Sequence, residues 1–372
     1  MRSGLKPLVF LIGFLLILAG CDSARKTSSA SQKADEFLIT TVAFYNLENL
    51  FDTEDDPNKF DESSPIMEVS EGEREAIYQK KVANMAKVIA DIGTEVTGMP
   101  PAVIGVCEIE NFKVLQDLVN DKHLSAYDYG IIHYNSPDAR SIDVALLYQK
   151  NLFRPSYSKA HELILFSETD SGKRKYTRDQ LHVKGKLDGE DMHFIVNHWP
   201  SRSGGEKRSR PFRAEAARLT KTLKDSIQIQ NPYAKLMIMG DFNDGPYNES
   251  IKEVLEAKAH ADDVNLTDLY NPFEKLYKKG VGSIAWMDTW DLFDMILVTK
   301  PFINTENYNT YRLYQAHVFN PFYLQTPKGR FKGYPYRAFA DGVFTGGYSD
   351  HFPVYLYLIK KKTDSGEVTL TE

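Results

Sequence analysis

The run Leu236-Met237-Ile238-Met239-Gly240-Asp241-Phe242-Asn243-Asp244 constrains this chain more than any other stretch. Four apolar residues in succession read as a strand buried on both faces, and Gly240 lets the backbone turn so that polar side chains emerge from the strand's end. Asp241 and Asn243 lie two apart and project to the same side. Burying a carboxylate and a carboxamide there without partners is unfavourable. Alone, the stretch is equally an Asx-rich turn closing a strand. The same arrangement recurs, however. The run 41–45 leads into Asn46-Leu47-Glu48-Asn49, 102–107 leads into Glu108, 192–196 leads into Asn197-His198-Trp199-Pro200, and Gly346-Gly347-Tyr348-Ser349-Asp350-His351 feeds the apolar run 352–359.

Helical periodicity fills the intervals. Residues 73–91 carry Val82, Met85, Ala86 and Ile89 on one face; Asn111 caps a short helix with Val114, Leu115 and Leu118 inward; Pro211 opens a helix with Ala216, Leu219 and Leu223 on one side. Asn248 caps a further helix through Leu255. Runs 127–134 and 142–148 read as neighbouring strands, 181–187 and 192–196 as a hairpin around Asp188-Gly189, and 293–298 as a strand with its acid at the entry. Asp143 falls inside a strand, where a buried carboxylate needs a partner. The stretch 52–70 is acidic, broken by prolines and predicted to be a surface loop. Residues 301–344, rich in Tyr, Phe, Asn, Gly and Pro, read as a functional lid or as aromatic packing on a sheet edge, and the sequence leaves both open. There is no internal repeat and no linker between the helix at 73 and the last strand. Strands with polar ends and helices between them imply two packed sheets covered by helices, with one rim dense in Asn, Glu, Asp and His.

The first twenty residues stand apart. Arg2 and Lys6 precede an apolar run, 8–18, and then comes Leu18-Ala19-Gly20-Cys21, the pattern of a secretory signal too short for a comfortable membrane span. Cys21 at that break resembles the bacterial lipoprotein box, which implies lipidation at Cys21 after removal of the signal peptide 1–20. Residues 21–36 read as a flexible tether, 37–362 as one domain and 363–372 as a tail. Such a chain is expected in the cell envelope, held to a membrane by its N-terminal lipid and monomeric. Cys107 is then the one remaining cysteine, inside an apolar run, so no intramolecular disulfide can form. The formal net charge of −6 argues against indiscriminate capture of polyanions; any nucleic-acid or phospholipid contact must be local and assisted by cations.

Taken together and in this order, Asn46, Glu108, Asn197-His198, Gly240-Asp241-Phe242-Asn243, Phe293-Asp294 and Ser349-Asp350-His351 resemble the endonuclease/exonuclease/phosphatase superfamily, which includes pancreatic-type deoxyribonuclease, abasic-site endonucleases, neutral sphingomyelinases and inositol polyphosphate 5-phosphatases. The resemblance spans about 41–359. It implies an α/β (α+β) fold, a four-layer sandwich of two packed mixed β-sheets flanked by helices. A phosphodiester repels its nucleophile, so catalysis needs a cation to neutralise phosphate oxygens, a base for water and donors aimed at developing charge. Glu108 suits a hard cation, Mg2+ or Mn2+, and the resemblance adds Asn46 and Asp350 to the metal environment. It also pairs His351 with Asp294 and, more loosely, His198 with Asp143, and it gives Asp241 and Asn243 the task of polarising water and a phosphate oxygen. Either Asp241 or a histidine is the general base. Arg140, Arg178 and the loop with Arg202, Lys207, Arg208 and Arg210 are candidate phosphate grips or a solvated face. Trp199 and the Tyr-rich segment stack a base, cover a headgroup or simply pack.

The expectation is a metal-dependent phosphoesterase using in-line attack by water, with a nuclease favoured. A phosphatase or phospholipase C-like enzyme on inositol phosphates, sphingomyelin or small phosphate esters is the alternative, and a non-catalytic surface binding protein stands third.

Overall fold

Side-chain alternation along the first strand, β1 (Phe37–Leu50), sets the layering: Val42 and Phe44 enter one hydrophobic core, whereas Ala43 and Tyr45 enter another. The computed structural model describes residues 36–167, 172–303 and 306–362. The expected signal peptide 1–20, Cys21 with all of the tether but residue 36, and the tail 363–372 lie outside the described residues. No helix among the described residues is long and apolar enough to cross a membrane.

Beside β1 lie β2 (Val103–Ile109), β3 (Tyr129–His133) and β4 (Asp143–Gln149). Next in the chain come β5 (Phe153–His161), β6 (Gln180–Leu187), β7 (Glu190–His198), β8 (Leu236–Asp241), β9 (Leu269–Tyr270) and β10 (Asp294–Thr299). The last two are β11 (Arg312–Val318) and β12 (Val354–Lys361). One six-stranded sheet has the order β11-β12-β1-β2-β4-β3 and the other β9-β10-β8-β7-β6-β5. Each is mixed, with one parallel pair at its centre, β1 with β2 and β7 with β8, among antiparallel neighbours. Val42, Val103, Val144 and Leu146 from the first sheet share a core with Phe194, Val196, Met237 and Met239 of the second. Helices α1 (Glu71–Asp91) and α2 (Phe112–Asn120) cover the other face of the first sheet through Val82, Met85, Ile89, Val114 and Leu118. Helix α3 (Glu206–Gln230) contributes Ala216, Leu223 and Ile227 to the core of the second, and there the Thr220 hydroxyl donates to Gln180 Oε1. The architecture is the expected four-layer sandwich.

Four local expectations need correction. Helix α3 begins at Glu206, and Pro211 sits inside it rather than at its start; the loop's Gly204-Gly205, both in the left-handed region, end the preceding chain earlier than the proline does. Asn248 does not cap an α-helix: its side-chain oxygen accepts the Gly245 N–H at 2.8 Å, and the chain beyond it makes a single wide turn, Ser250–Val254. Strand β5 was not expected, because its middle is exposed and interrupted by Pro155, where the ladder shifts register. The segment 301–344 is not all loop: β11 lies within it, pairing with β12 at the sheet edge, and Phe302, Tyr311 and Phe339 are buried, whereas Phe322 and Phe331 stay exposed. The hairpin at Asp188-Gly189 is as predicted, with both residues at positive φ.

Candidate active site

Strand pairing brings the scattered polar residues together. The parallel β7–β8 register sets His198 beside Asp241, and the antiparallel β8–β10 register sets Asp241 beside Asp294. Gly240 is required by this closeness, since a Cβ there would lie 2.4 Å from the Asn197 carbonyl oxygen. Asn46 Nδ2, from β1, donates to Asp241 Oδ2 at 3.1 Å and ties the two sheets together at this rim. His351 Nδ1 lies 2.7 Å from Asp294 Oδ2, and its Nε2 lies 3.9 Å from Asp241 Oδ2. His198 Nε2 lies 3.7 Å from both Asp241 Oδ2 and Glu108 Oε1. Glu108, Asp241 and His351 are therefore neighbours, although the sequence separates them widely.

The strand ends are irregular where it matters. The β1–β2 ladder shifts register between Asn46 and Leu50, and the β2–β4 ladder shifts between Cys107 and Ile109. At these bulges Glu48, Asn49 and Glu108 adopt positive φ, as does Asn243 beyond β8. A bulge re-aims side chains that strict alternation would send into the core. The Asn49 N–H then donates to Glu108 Oε2 at 3.0 Å, and the Asn243 N–H to Asp241 Oδ1 at 2.9 Å.

A sequence model of the endonuclease/exonuclease/phosphatase family matches residues 41–360. The chain belongs to that family. Its members are phosphoesterases, hydrolases of phosphate ester bonds that generally depend on divalent metals. No curated protein matches the chain. Among solved structures, a family member from Bacteroides thetaiotaomicron is 16% identical, with 88% of this chain and 97% of that one covered at a TM-score of 0.52. One from Bacteroides vulgatus is 14% identical, with 87% and 100% covered at a TM-score of 0.51. TDP2 of D. rerio, solved with a single-strand DNA product, is 12% identical, with 86% and 98% covered at a TM-score of 0.50. At such identities these likenesses concern the fold.

Burial and charge divide the titratable groups of this family site. Burial pushes the Asp241 carboxyl up to about 7, opposed by the nearby His351 and reinforced by Asp294. Burial would by itself leave His351 neutral, but the carboxylates of Asp294 and Asp241 outweigh it and hold the imidazole well above its ordinary value. His198 goes the other way: burial, with Arg178 and Arg140 nearby, holds it well below. Within a few ångströms the site thus keeps one charged ring, one neutral ring and a carboxyl that titrates near neutrality. The Ser283 hydroxyl donates to Asp294 Oδ2 at 2.6 Å, fixing the carboxylate that faces His351.

The rim suits a hard divalent cation. Glu48, Glu108 and Asp350 all lie close to Lys81 and Arg337. Burial and Asp350 push Glu48 up to about 8, a sign of crowded negative charge. Glu48 is fully engaged by Arg337 Nε at 3.1 Å and the Ala338 N–H at 2.6 Å. Glu108 and Asp350 are partly exposed and, with the Asn46 amide, offer oxygen donors of the kind Mg2+ or Mn2+ takes.

Other predicted residues sit elsewhere or are occupied. Asp143 does not serve His198: it bonds His133 Nε2 at 3.0 Å and the Ser136 N–H at 2.8 Å, and the His198 Nδ1 atom has no partner. The antiparallel β3–β4 pair closes that contact within one sheet, so Asp143 is spent before β7 comes near. Trp199 is fully buried edge-on against Phe242 and cannot stack a substrate base. Arg178 is buried, with Nη2 donating to the Trp199 carbonyl at 2.6 Å and Nη1 to Asp138 at 3.4 Å. Arg202 donates to the Asn243 carbonyl at 2.9 Å and lies 3.5 Å from Asp244 and 3.8 Å from Asp291. Asn243 Nδ2 donates to the Trp199 carbonyl at 3.1 Å. Arg140 is half-exposed, its Nε 3.9 Å from Asp138 Oδ1, and lies near His198.

Sequence reasoning missed Glu48, Lys81, Arg337, Ser283 and His133. Lys81 lies on the buried face of α1 with Tyr78, Val82 and Met85, and its ammonium donates to the Glu48 and Asn49 carbonyls, holding the bulge. A lysine in register with a helix's apolar stripe is the signal that could have found it. Glu48 stands two residues beyond Asn46. Arg337 and Ser283 carry no such signal.

Proposed function

We propose that this protein is a divalent-metal-dependent phosphoesterase that cleaves phosphodiester bonds by in-line attack of water, with no covalent enzyme intermediate. The observation that carries the reading is the line Asp294–His351–Asp241, facing His198 and Glu108. Glu108 and Asp350, with Asn46, would hold the cation, which supplies neutralisation of a phosphate oxygen. Asp241 has a carboxyl poised near 7 and a fixed position, which fits it to take a proton from water. The His351 imidazolium, kept charged by Asp294, fits the role of donor to charge developing on phosphate oxygens. His198, kept neutral, orients water or phosphate through Nε2. Arg140, half-exposed, is the guanidinium for a second phosphate oxygen.

Nucleic acid is the first substrate reading, in line with the family's nuclease members and the D. rerio TDP2 structure with its single-strand DNA product. One observation favours a small phosphate ester instead: Arg178, Arg202 and Arg210, expected to track a backbone, are already bonded to the protein's own acceptors. We further propose a lipid anchor at Cys21, placement in the cell envelope and a monomeric state. The decisive test is product analysis, with and without chelator, on plasmid DNA, single-stranded DNA, RNA, bis-p-nitrophenyl phosphate, p-nitrophenyl phosphate and sphingomyelin. Chelator-sensitive cleavage of bis-p-nitrophenyl phosphate with little on the monoester is expected, and polymer cleavage then separates the two substrate readings. Hydrolysis that survives chelation, or none on any substrate, overturns the proposal.

A further inference from the structure

Helix α1 turns one face into the core through Tyr78, Val82, Met85 and Ile89, and two residues on that face are not apolar. Lys81 and Asn84, one turn apart, are 2% and 5% exposed. A buried ammonium or carboxamide is costly unless its donors find acceptors. Asparagine is also a weak helix former, so its place in mid-helix calls for a compensating contact. Both side chains find theirs outside the helix. The Lys81 ammonium donates to the Glu48 and Asn49 carbonyls. The Asn84 amide, through Nδ2, donates to the Gly346 carbonyl at 3.1 Å and to the Gly347 carbonyl at 2.7 Å.

These are the two stretches of backbone that place the acids of the rim. Asn49, held by Lys81, gives its own N–H to Glu108 Oε2 at 3.0 Å. Gly346-Gly347 leads within three residues to Asp350 and His351. Two glycines in succession offer no side chain to pack, and Gly346 is at positive φ, so this approach takes its course from whatever grips its backbone. Besides Asn84, Thr345 Oγ1 accepts the Gly347 N–H at 3.0 Å, the Tyr336 carbonyl accepts the Tyr348 N–H at 2.6 Å, and the Ser349 hydroxyl donates to the Asn46 carbonyl at 2.8 Å. Thr345 and Tyr336 belong to the same irregular stretch of chain, whereas Asn84 stands on a 21-residue helix packed against the first sheet.

We propose that Asn84 is a positioning residue for the candidate metal rim. Through the Gly346 and Gly347 carbonyls it sets where Asp350 and His351 stand relative to Glu108, whose side of the rim Lys81 steadies from the same helix. One rigid element thus spaces the two acids, and a displacement of about 1 Å at such a site can cost on the order of a hundredfold in rate. Asn84 itself acts only through the backbone it holds. The inference rests on the reading of Glu108 and Asp350 as cation ligands.

Asn84 is neutral, so replacing it tests geometry without altering the charge near Glu108 and Asp350, which a Lys81 variant would change. The full chain is stripped with chelator and titrated with MnCl2, the free ion being followed by its electron paramagnetic resonance signal. Melting curves, and kcat and KM on bis-p-nitrophenyl phosphate, are measured alongside, with binding and kinetics taken well below Tm. N84A is expected to weaken Mn2+ by about tenfold to a hundredfold. It is also expected to lower kcat by a similar factor at saturating Mn2+, because His351 moves with Asp350, while KM stays within about threefold of the parent. A side chain that serves stability alone would lower Tm and leave Mn2+ affinity as it was. Mn2+ affinity of N84A within about threefold of the parent therefore overturns this inference and leaves the metal reading standing. No Mn2+ uptake by the parent overturns both. If N84A lacks the parent's circular dichroism spectrum, N84S takes its place under the same threshold.

Discussion

The pairing of Asp294 with His351 offers the sharpest test of the candidate active site. Asp294→Asn keeps the shape of the side chain and a carbonyl for the Ser283 hydroxyl but removes the charge 2.7 Å from His351 Nδ1. With about 4 Å between the charge centres and an effective dielectric near 20, that pair is worth about 4 kcal/mol. Asp241, at 3.9 Å from the other ring nitrogen, and Asp350 remain as the carboxylates that favour the charged ring, and burial then works unopposed by Asp294 to neutralise the imidazole. About 4 kcal/mol corresponds to roughly a thousandfold in any step that needs the protonated ring. The assay is kcat on bis-p-nitrophenyl phosphate against pH, with a melting curve to confirm folding. The variant is expected to lose about 10² to 10⁴ in kcat, with its activity confined to lower pH. Ser283→Ala, which removes one hydrogen bond to the charged Asp294 carboxylate worth about 1.5 to 3 kcal/mol, should lose on the order of 10- to 100-fold, less than Asp294→Asn. An Asp294→Asn enzyme within threefold of the parent across the pH range would refute the claim that this carboxylate keeps His351 charged.

Three other outcomes rest on the packing. Trp199→Ala should cost about 3 to 5 kcal/mol of stability, because it empties a fully buried site against Phe242, while KM measured well below its Tm stays unchanged; a weakened KM with an unchanged Tm would instead put the indole on the substrate. Gly240→Ala should lower Tm by an overpacking penalty of about 1 to 3 kcal/mol, since the new methyl meets the Asn197 carbonyl at 2.4 Å, and a neutral melt would contradict that crowding. His182 and His193, stacked with ring nitrogens 3.0 Å apart on the second sheet, are both pushed down to about 4 by burial. The folded rings stay neutral while unfolded ones protonate below about 6.5, so stability is full above that pH and falls as pH drops from 6.5 towards 4. His182→Gln should flatten this loss in pH-dependent melts, and an unchanged acid limb would show that the pair does not set it.

What the sequence made legible was the interior and the points where strands leave it. Runs such as 236–239 admit few readings, and the polar residues just beyond them gather at one rim because parallel neighbours such as β7 and β8 end together. Edges were not legible. β5 and β11 are only partly covered, so their residues carry no steady alternation, and Pro155 or a Tyr-rich setting hides them further. The acid partner of His198 was misassigned for a related reason: His133 ends β3 where Asp143 begins β4, and that cross-strand closeness needs a register no single strand reveals. Which arginines are free is a tertiary matter. Arg140 and Arg202 look alike in the sequence, yet Arg202 is committed to its own loop.

The left-handed backbone at Glu48, Asn49, Glu108 and Asn243 has a consequence for anyone redesigning this rim. Glycine would fit each of these torsions with less strain, and for the two glutamates, Glu48 at φ 48° and Glu108 at φ 57°, the relief should be larger than for the asparagines, since glutamate has little tendency to adopt that conformation. Stability-guided selection applied blindly would therefore drift toward Glu108→Gly and deliver a tougher, silent protein. Screens on this scaffold need an activity filter at those four positions, where the best-folding residue and the useful one part company.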